Sequence, residues 1–156
     1  MNEIIHISKK YRIKFTTCIY NHIWVFISLE KLDKKGNILL DIAEEDKQKI
    51  FMFDTGAQHT LLSKTRAEKL GYLHCEHKGR TRVSVGGNIL WCSKVEIPDI
   101  TITNNIVVRK PVVLIPDDYI YNKNILGQDI LQLFNYYMDN KSKTIYFDKE
   151  IFTGDV

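Results

Sequence analysis

The chain has 156 residues, 44% of them hydrophobic and 26% charged, which is one domain's length with an ordinary globular composition and enough chain to bury a core. Its formal charge of +3 comes from 22 basic and 19 acidic residues scattered among one another. That pattern argues against a dedicated nucleic-acid surface, for which a basic stripe is expected. Three cysteines, Cys18, Cys75 and Cys92, form no paired framework, and the odd count suits a reducing compartment, so the chain is read as cytoplasmic.

Residues 9–29 weakly resemble a targeting segment, because basic Lys9-Lys10-Tyr11-Arg12-Ile13-Lys14 precedes a largely apolar run from Phe15 to Leu29. Asn21 and His22 interrupt that run. It is shorter than the roughly 20 residues of a membrane span, and no small-residue cleavage site follows it. Residues 1–22 are read as an N-terminal strand or extension, and no membrane association is expected. Alternation of Ile13, Phe15 and Thr17 against Arg12, Lys14 and Thr16, then of Val25, Ile27 and Leu29 against Phe26, Ser28 and Glu30, reads as strands. Asp33-Lys34-Lys35-Gly36-Asn37 is a turn by composition, and Ile38 to Ile42 is expected to start a further strand. The mixed charges of 44–49 make a solvated connection.

Ile50-Phe51-Met52-Phe53 then reads as a buried strand that delivers Asp54 onto the turn Asp54-Thr55-Gly56-Ala57. A carboxylate at such a strand end is costly without partners or solvent, which invites a functional reading. Ser63 can cap a helix from Lys64 to Leu70, with Gly71 ending it in the left-handed region. His74-Cys75-Glu76-His77 crowds three ligand types into four residues but lacks a second cluster at zinc-like spacing, so it reads as an ordinary loop, as do the scattered His6 and His22.

Residues 82–91 read as a β-hairpin, since Gly86-Gly87 or Gly87-Asn88 supplies the positive φ angles of a two-residue turn. Pattern alone fits a structural hairpin and a mobile flap equally well. Strands follow at Val95–Ile97, Ile100–Thr103, Ile106–Val108 and Val112–Ile115, broken at Pro98, Asn104-Asn105 and Pro116-Asp117-Asp118. Ile125-Leu126-Gly127 leads into a helix of about two turns, Gln128 to Phe134, with Ile130, Leu131 and Phe134 on one side. A last hairpin pairs Tyr136-Tyr137-Met138 with Thr144-Ile145-Tyr146-Phe147.

Phe53-Asp54-Thr55-Gly56-Ala57 followed by Ile125-Leu126-Gly127 resembles a retropepsin-like aspartic protease, over residues 24 to 148. The resemblance implies an all-β, closed barrel-like acid-protease fold with one or two short helices, as a single domain over 1–156. It implies that residues 82–91 are the flap and that 125–134 form the turn and helix bracing the Asp-Thr-Gly turn. It further implies a homodimer in which each subunit contributes Asp54, Thr55 and Gly56, and the two aspartates share one catalytic water. Ala57, Gln58, Val85, Gly86 and Gly87 would then hold a peptide or protein substrate. The implied activity needs no metal and no organic cofactor.

Hydrolysing an amide with water takes a base for the water and an acid for the carbonyl and the leaving amine. One carboxylate cannot fill both roles at once, whereas two about 3 Å apart hold a single proton between them because both cannot ionise. The chain departs from the viral members in reading Gln58-His59-Thr60 where they carry two acidic residues before the threonine, and in placing Gln128 where a basic residue is common. Substrate preference is therefore not carried over. Asp129, on the bracing helix, reads as a structural hydrogen-bonding group.

Two other functions compete. A retropepsin-fold dimerisation or peptide-binding module could keep the turn while cleaving little. A phosphoryl-accepting aspartate of the haloacid dehalogenase type wants a second acid two residues on, where Gly56 stands, and a strand-helix alternation that the chain lacks.

Overall fold

The structure is a computed structural model and describes residues 11–17, 20–103, 106–147 and 152–153. Most of the expected N-terminal extension, with His6 and Lys9-Lys10, falls outside the described residues, as do Cys18 and the Asn104-Asn105 break. Two sheets carry the fold. The larger runs β10 (Tyr136–Asp139), β11 (Thr144–Phe147), β1 (Arg12–Thr16), β2 (Trp24–Leu29), β6 (Ile100–Thr103), β7 (Ile106–Val108), β12 (Phe152–Thr153). From this path β3 (Gln48–Phe53) branches off β2, and β9 (Ile125–Leu126) pairs with β3 in parallel. The smaller sheet is β4 (His77–Val85), β5 (Asn88–Glu96) and β8 (Val112–Pro116). The architecture is all-β, and the strand path is open among the described residues.

The hub is β2. Trp24 pairs with both Thr16 and Met52, and Ser28 with both Gln48 and Thr101, so β3 fills one edge while β1 and β6 share the other. Such a strand needs apolar residues on its core face, and Val25, Ile27 and Leu29 are buried while Phe26 points outward. Next to it, β3 is two-sided: Phe51 and Phe53 enter the main core, and Met52 packs against a second cluster of Leu61, Cys92, Leu114 and Ile125. The chain thus has a large core under the main sheet and a smaller one under the β4-β5 hairpin.

The caps of α2 (Lys64–Leu70) are those the sequence calls for. Ser63 Oγ accepts from the Arg66 N–H at 3.2 Å, and Gly71, at φ +82°, donates to Glu68 at 3.0 Å. A short 3-10 turn, Tyr72–His74, follows and buries Tyr72 completely, its phenol donating to the Glu30 carbonyl. Burial holds that phenol well above its usual pKa.

Four expectations are corrected. No strand forms over Ile38–Ile42: Asp33 Oδ1 takes the N–H groups of Lys35 and Asn37 at 2.8 and 2.9 Å, closing a small loop whose only pairing is the Leu32–Ile38 bridge. With both edges of β2 filled, Leu40 finds no apolar surface and stays 86% exposed. The solvated connection after it winds into one turn, α1 (Glu44–Lys47), with three acids in its first turn, where the helix dipole favours them. Val95–Ile97 is not a separate strand, since β5 runs unbroken from the hairpin to Glu96 between β4 and β8. The bracing helix is half the expected length, α3 spanning only Gln128–Leu131. A tight Leu133 N–H to Ile130 bond turns the chain so that Phe134 can meet the Phe147 ring edge-on at 4.8 Å and β10 can begin at Tyr136. Ile130, Leu131 and Phe134 are still buried together.

Among the described residues no helix is long and apolar enough to cross a membrane.

A Cβ on Gly71 would stand 2.8 Å from the Leu32 carbonyl oxygen, in a left-handed conformation that side chains resist. Gly71→Ala is expected to lower stability by about 2 kcal/mol, read as a lower urea midpoint at unchanged denaturant slope.

Candidate active site at the Asp54 turn

The turn is built by threading. The chain leaves β3 at Asp54, whose N–H donates to Leu126 on β9 at 3.1 Å, and returns on the other edge of β9, where Leu61 and Ile125 exchange bonds of 2.9 and 2.8 Å. Residues 55–60 therefore loop across the end of β9, directly over Gly127. That glycine sits at an ordinary φ of −104°, and what demands it is proximity: a Cβ there would lie 2.5 Å from the His59 carbonyl oxygen.

Polar groups then lock the loop. Thr60 is fully buried; its N–H donates to Asp129 Oδ2 at 3.0 Å, its hydroxyl donates to Asp129 Oδ1 at 2.7 Å, and its oxygen accepts from the Gly127 N–H at 3.1 Å. Gln128 and Asp129 donate backbone N–H groups to the Ala57 and Gln58 carbonyls at 2.8 and 3.1 Å, and Gln128 Nε2 donates to the Thr55 carbonyl at 2.8 Å. Asp129 is thus a structural acceptor, both oxygens engaged by one threonine. Gln128 braces the turn by a neutral bond.

Asp54 itself is half-buried at the end of β3. The Gly56 N–H donates to its Oδ1 at 2.9 Å, fixing the carboxyl by a local Asx turn. Thr55, Gln58 and His59 project into solvent. The carboxyl opens into a cleft of about 620 Å³ lined by Gly56, Ala57, Gln58, His59 and Leu61 on one side and by residues 82–86 of the hairpin on the other. Of the residues singled out from sequence, Asp54, Gly56, Ala57, Gln58, Val85 and Gly86 meet in this cleft. Gly87 stands at the hairpin tip outside the lining, and exposed Thr55 is likewise not part of it.

The hairpin has an open tip and an anchored base. Its tip is the two-residue turn Gly86-Gly87, at φ +56° and +83°, with open space around both. Its inner residues Val83, Val85 and Leu90 pack on the second cluster. The Arg82 and Arg80 guanidinium groups lie 5.4 and 5.8 Å from the Trp91 ring centroid. Arg80 also pairs with Asp117 at the end of β8, and that bond holds the Asp117 carboxyl below its usual pKa. The Asp117 N–H in turn donates to Trp91 at 2.9 Å.

Two residues at the site carry no signal that sequence reasoning used. Buried Asn124 accepts the Ser63 N–H at 2.9 Å, donates to the Ile50 carbonyl at 3.1 Å and accepts the Met52 N–H on its own carbonyl at 2.8 Å, tying β3 to both arms of the loop. Tyr121 packs beneath the hairpin, and burial, with the charges of Asp54 and Cys92, pushes its phenol up to about 12. The Cys92 thiol is itself pushed up to about 11 by burial and is a core group. At 74–77, His77 faces the Leu73 carbonyl and Glu76 pairs with Lys78 at 2.9 Å. Among the described residues no group of three His, Cys, Asp or Glu side chains could hold a metal ion.

Residues 41–133 match the profile of the family described as "gag-polyprotein putative aspartyl protease". The chain belongs to the retropepsin-like aspartic protease family. Its fold is similar to that of a retropepsin-like aspartic protease from Rickettsia conorii, with a TM-score of 0.57 and 16% identity over 88% of this chain and 89% of that one. A more distant likeness, with a TM-score of 0.48 and 18% identity over 75% of this chain and 91% of the other, is to EIAV protease complexed with the inhibitor HBY-793. No curated protein matches the chain significantly.

The retropepsin-like turn rests on Thr60, which leads to a direct test. Thr60→Val keeps the shape but leaves the Gly127 N–H unpaired and strips a donor from Asp129, and is expected to cost about 3 kcal/mol. Thermal unfolding of the purified variant measures it; an unchanged midpoint would show that the lock is dispensable.

Proposed function

We propose that the chain is an aspartic endopeptidase that hydrolyses peptide bonds as a homodimer, with Asp54 of each subunit forming the acid-base pair. What supports this reading most is a single carboxyl, oriented by the Gly56 N–H, at the floor of a cleft roofed by a glycine-tipped hairpin. Membership of an aspartic protease family supports the reaction type. One such carboxyl per chain calls for a second from a partner, and a closed two-fold arrangement brings the same turn to itself.

The chemistry then follows from the shared proton. The ionised member of the pair takes a proton from water as the water oxygen bonds to the peptide carbonyl carbon, and the protonated member gives its proton to the carbonyl oxygen. Collapse of the tetrahedral species breaks the C–N bond: the amine nitrogen leaves with the proton held by the pair, one hydroxyl of the tetrahedral species returns its proton to the pair as the C=O bond re-forms, and the pair again holds one proton. Thr55, exposed beside Asp54, is placed in the reading to bond the partner's turn. Ala57 and Gln58 hold substrate from below, and Val85, Gly86 and Gly87 from above once the hairpin closes. The unit that acts is a single domain over residues 1–156.

The alternative of a peptide-binding module draws on one observation, the neutral Gln58 in place of an acid. Peptide cleavage assayed from acidic to neutral pH separates the two. Asp54→Asn is expected to reduce kcat by about a thousandfold or more, the scale of losing the acid-base group, while sedimentation still reports a dimer. Cleavage that persists in the variant would remove the proteolytic assignment, and a dimer that binds peptide without cleaving it would favour the module.

A further inference from the structure

At the end of β3 away from Asp54, three segments bring cations together. Lys49 comes from β3, Arg66 and Lys69 from α2, and Lys31 from the chain just past β2, around a pocket of about 390 Å³. The backbone sets this convergence. Lys49 pairs with Ile27 across β2 and β3, and the Leu32 N–H donates to the Leu70 carbonyl at 2.9 Å, which pins the end of α2 beside Lys31. Asp46 of α1 is the one acid in the lining, and Ile42 and Leu70 give it an apolar wall. The pocket shares no residue with the cleft at Asp54.

Elsewhere in the protein cations meet carboxylates: Lys47 pairs with Glu30, Lys78 with Glu76 and Arg80 with Asp117. Among the described residues, none of the four cations at this pocket has a carboxylate within salt-bridge reach. Lys49 donates to the main-chain carbonyl of Asp46. Its ammonium is half-buried, and burial, with the charges of Arg66 and Lys31, holds it below its usual pKa against the pull of Asp46. Like charges gathered without a counter-charge cost the free chain stability, and an anion that fits among them relieves that cost.

The lining also selects the anion. A single carboxylate carries too little charge for four cations set against one acid, whereas phosphate groups carry more and accept from a guanidinium fork and from ammonium groups alike. The pocket is of small-ligand size, which leaves room for more than one phosphate. We propose that this pocket is a binding site for a ligand bearing two or more phosphate groups, held by Lys31, Lys49, Arg66 and Lys69, on a soluble molecule or on a lipid headgroup. The site stands independently of the proteolytic reading of the cleft.

The test uses the full-length chain. It is titrated calorimetrically with sodium tripolyphosphate at about 0.15 M salt, and sedimented with phosphatidylcholine vesicles that contain or lack phosphatidylinositol bisphosphate. Saturable binding of tripolyphosphate is expected, with a raised thermal midpoint. Arg66→Gln and Lys31→Gln are each expected to weaken it about tenfold, the worth of one charged hydrogen bond, and Lys141→Gln, in the turn between β10 and β11, to leave it unchanged. Capture by the bisphosphate vesicles alone, weakened in the same two variants, would support the site and mark a headgroup as its source. Without any ligand, Arg66→Gln is expected to raise the pKa of the Lys49 ammonium, followed by NMR of the lysine side chains. Absence of binding in both arms, or equal weakening by Lys141→Gln and Arg66→Gln, would overturn the proposal. So would a Lys49 pKa that stays level or falls in Arg66→Gln, because the cations would then not share one pocket.

Discussion

The bonds between Thr60 and Asp129 hold two chain segments 69 residues apart in sequence against each other. Without them the loop after Asp54 would be left with its backbone contacts, the Gly127 N–H bond to Thr60 and the Gln128 side-chain bond to Thr55 to keep it over Gly127. A half-buried carboxylate with donors on both oxygens is geometrically demanding, since moving either partner strands the other. Asp54 depends on this arrangement at one remove. Its carboxyl bond, from the Gly56 N–H, is local, its backbone bond to Leu126 reaches β9, and both aim the carboxyl only as long as the loop holds its place.

The second constraint is the two-sidedness of β3. A strand with Phe51 and Phe53 in one core and Met52 in another joins the rigid sheet to the smaller cluster beneath the hairpin. The hairpin's inner residues contact a cluster of limited size, and its base is anchored separately through Arg80, Asp117 and Trp91. Hydrogen bonds are concentrated at the turn, and apolar contacts with a small cluster hold the roof.

Much of this was legible in the sequence wherever the signal was local. The end of β3 at Asp54, the Ser63 and Gly71 caps of α2, the Gly86-Gly87 turn and the last hairpin each depend on residues within a few positions of one another. Ile38–Ile42 misled because its apolar residues suit a strand, yet strand formation needs a free edge, and the edges of β2 were already taken by residues far away in sequence. The bracing helix came out short because Phe134 is drawn to Phe147, a contact invisible to periodicity. Asn124 and Tyr121 were missed for the same reason. The partners of Asn124 lie 61 and 74 residues off, and a tyrosine in a run such as Tyr119-Ile120-Tyr121 gives no hint of which hydroxyl will be enclosed.

The loop over Gly127 is held through main-chain carbonyls at Thr55, Ala57 and Gln58, while the side chains of Gln58 and His59 are exposed. Positions 58 and 59 can therefore change identity without disturbing the scaffold that aims Asp54. The scaffold that aims Asp54 and the surface that lines the cleft are thus written in the same residues but in different atoms. A lineage could retune what the cleft accepts by exchanging those two side chains and leave the geometry of the turn untouched.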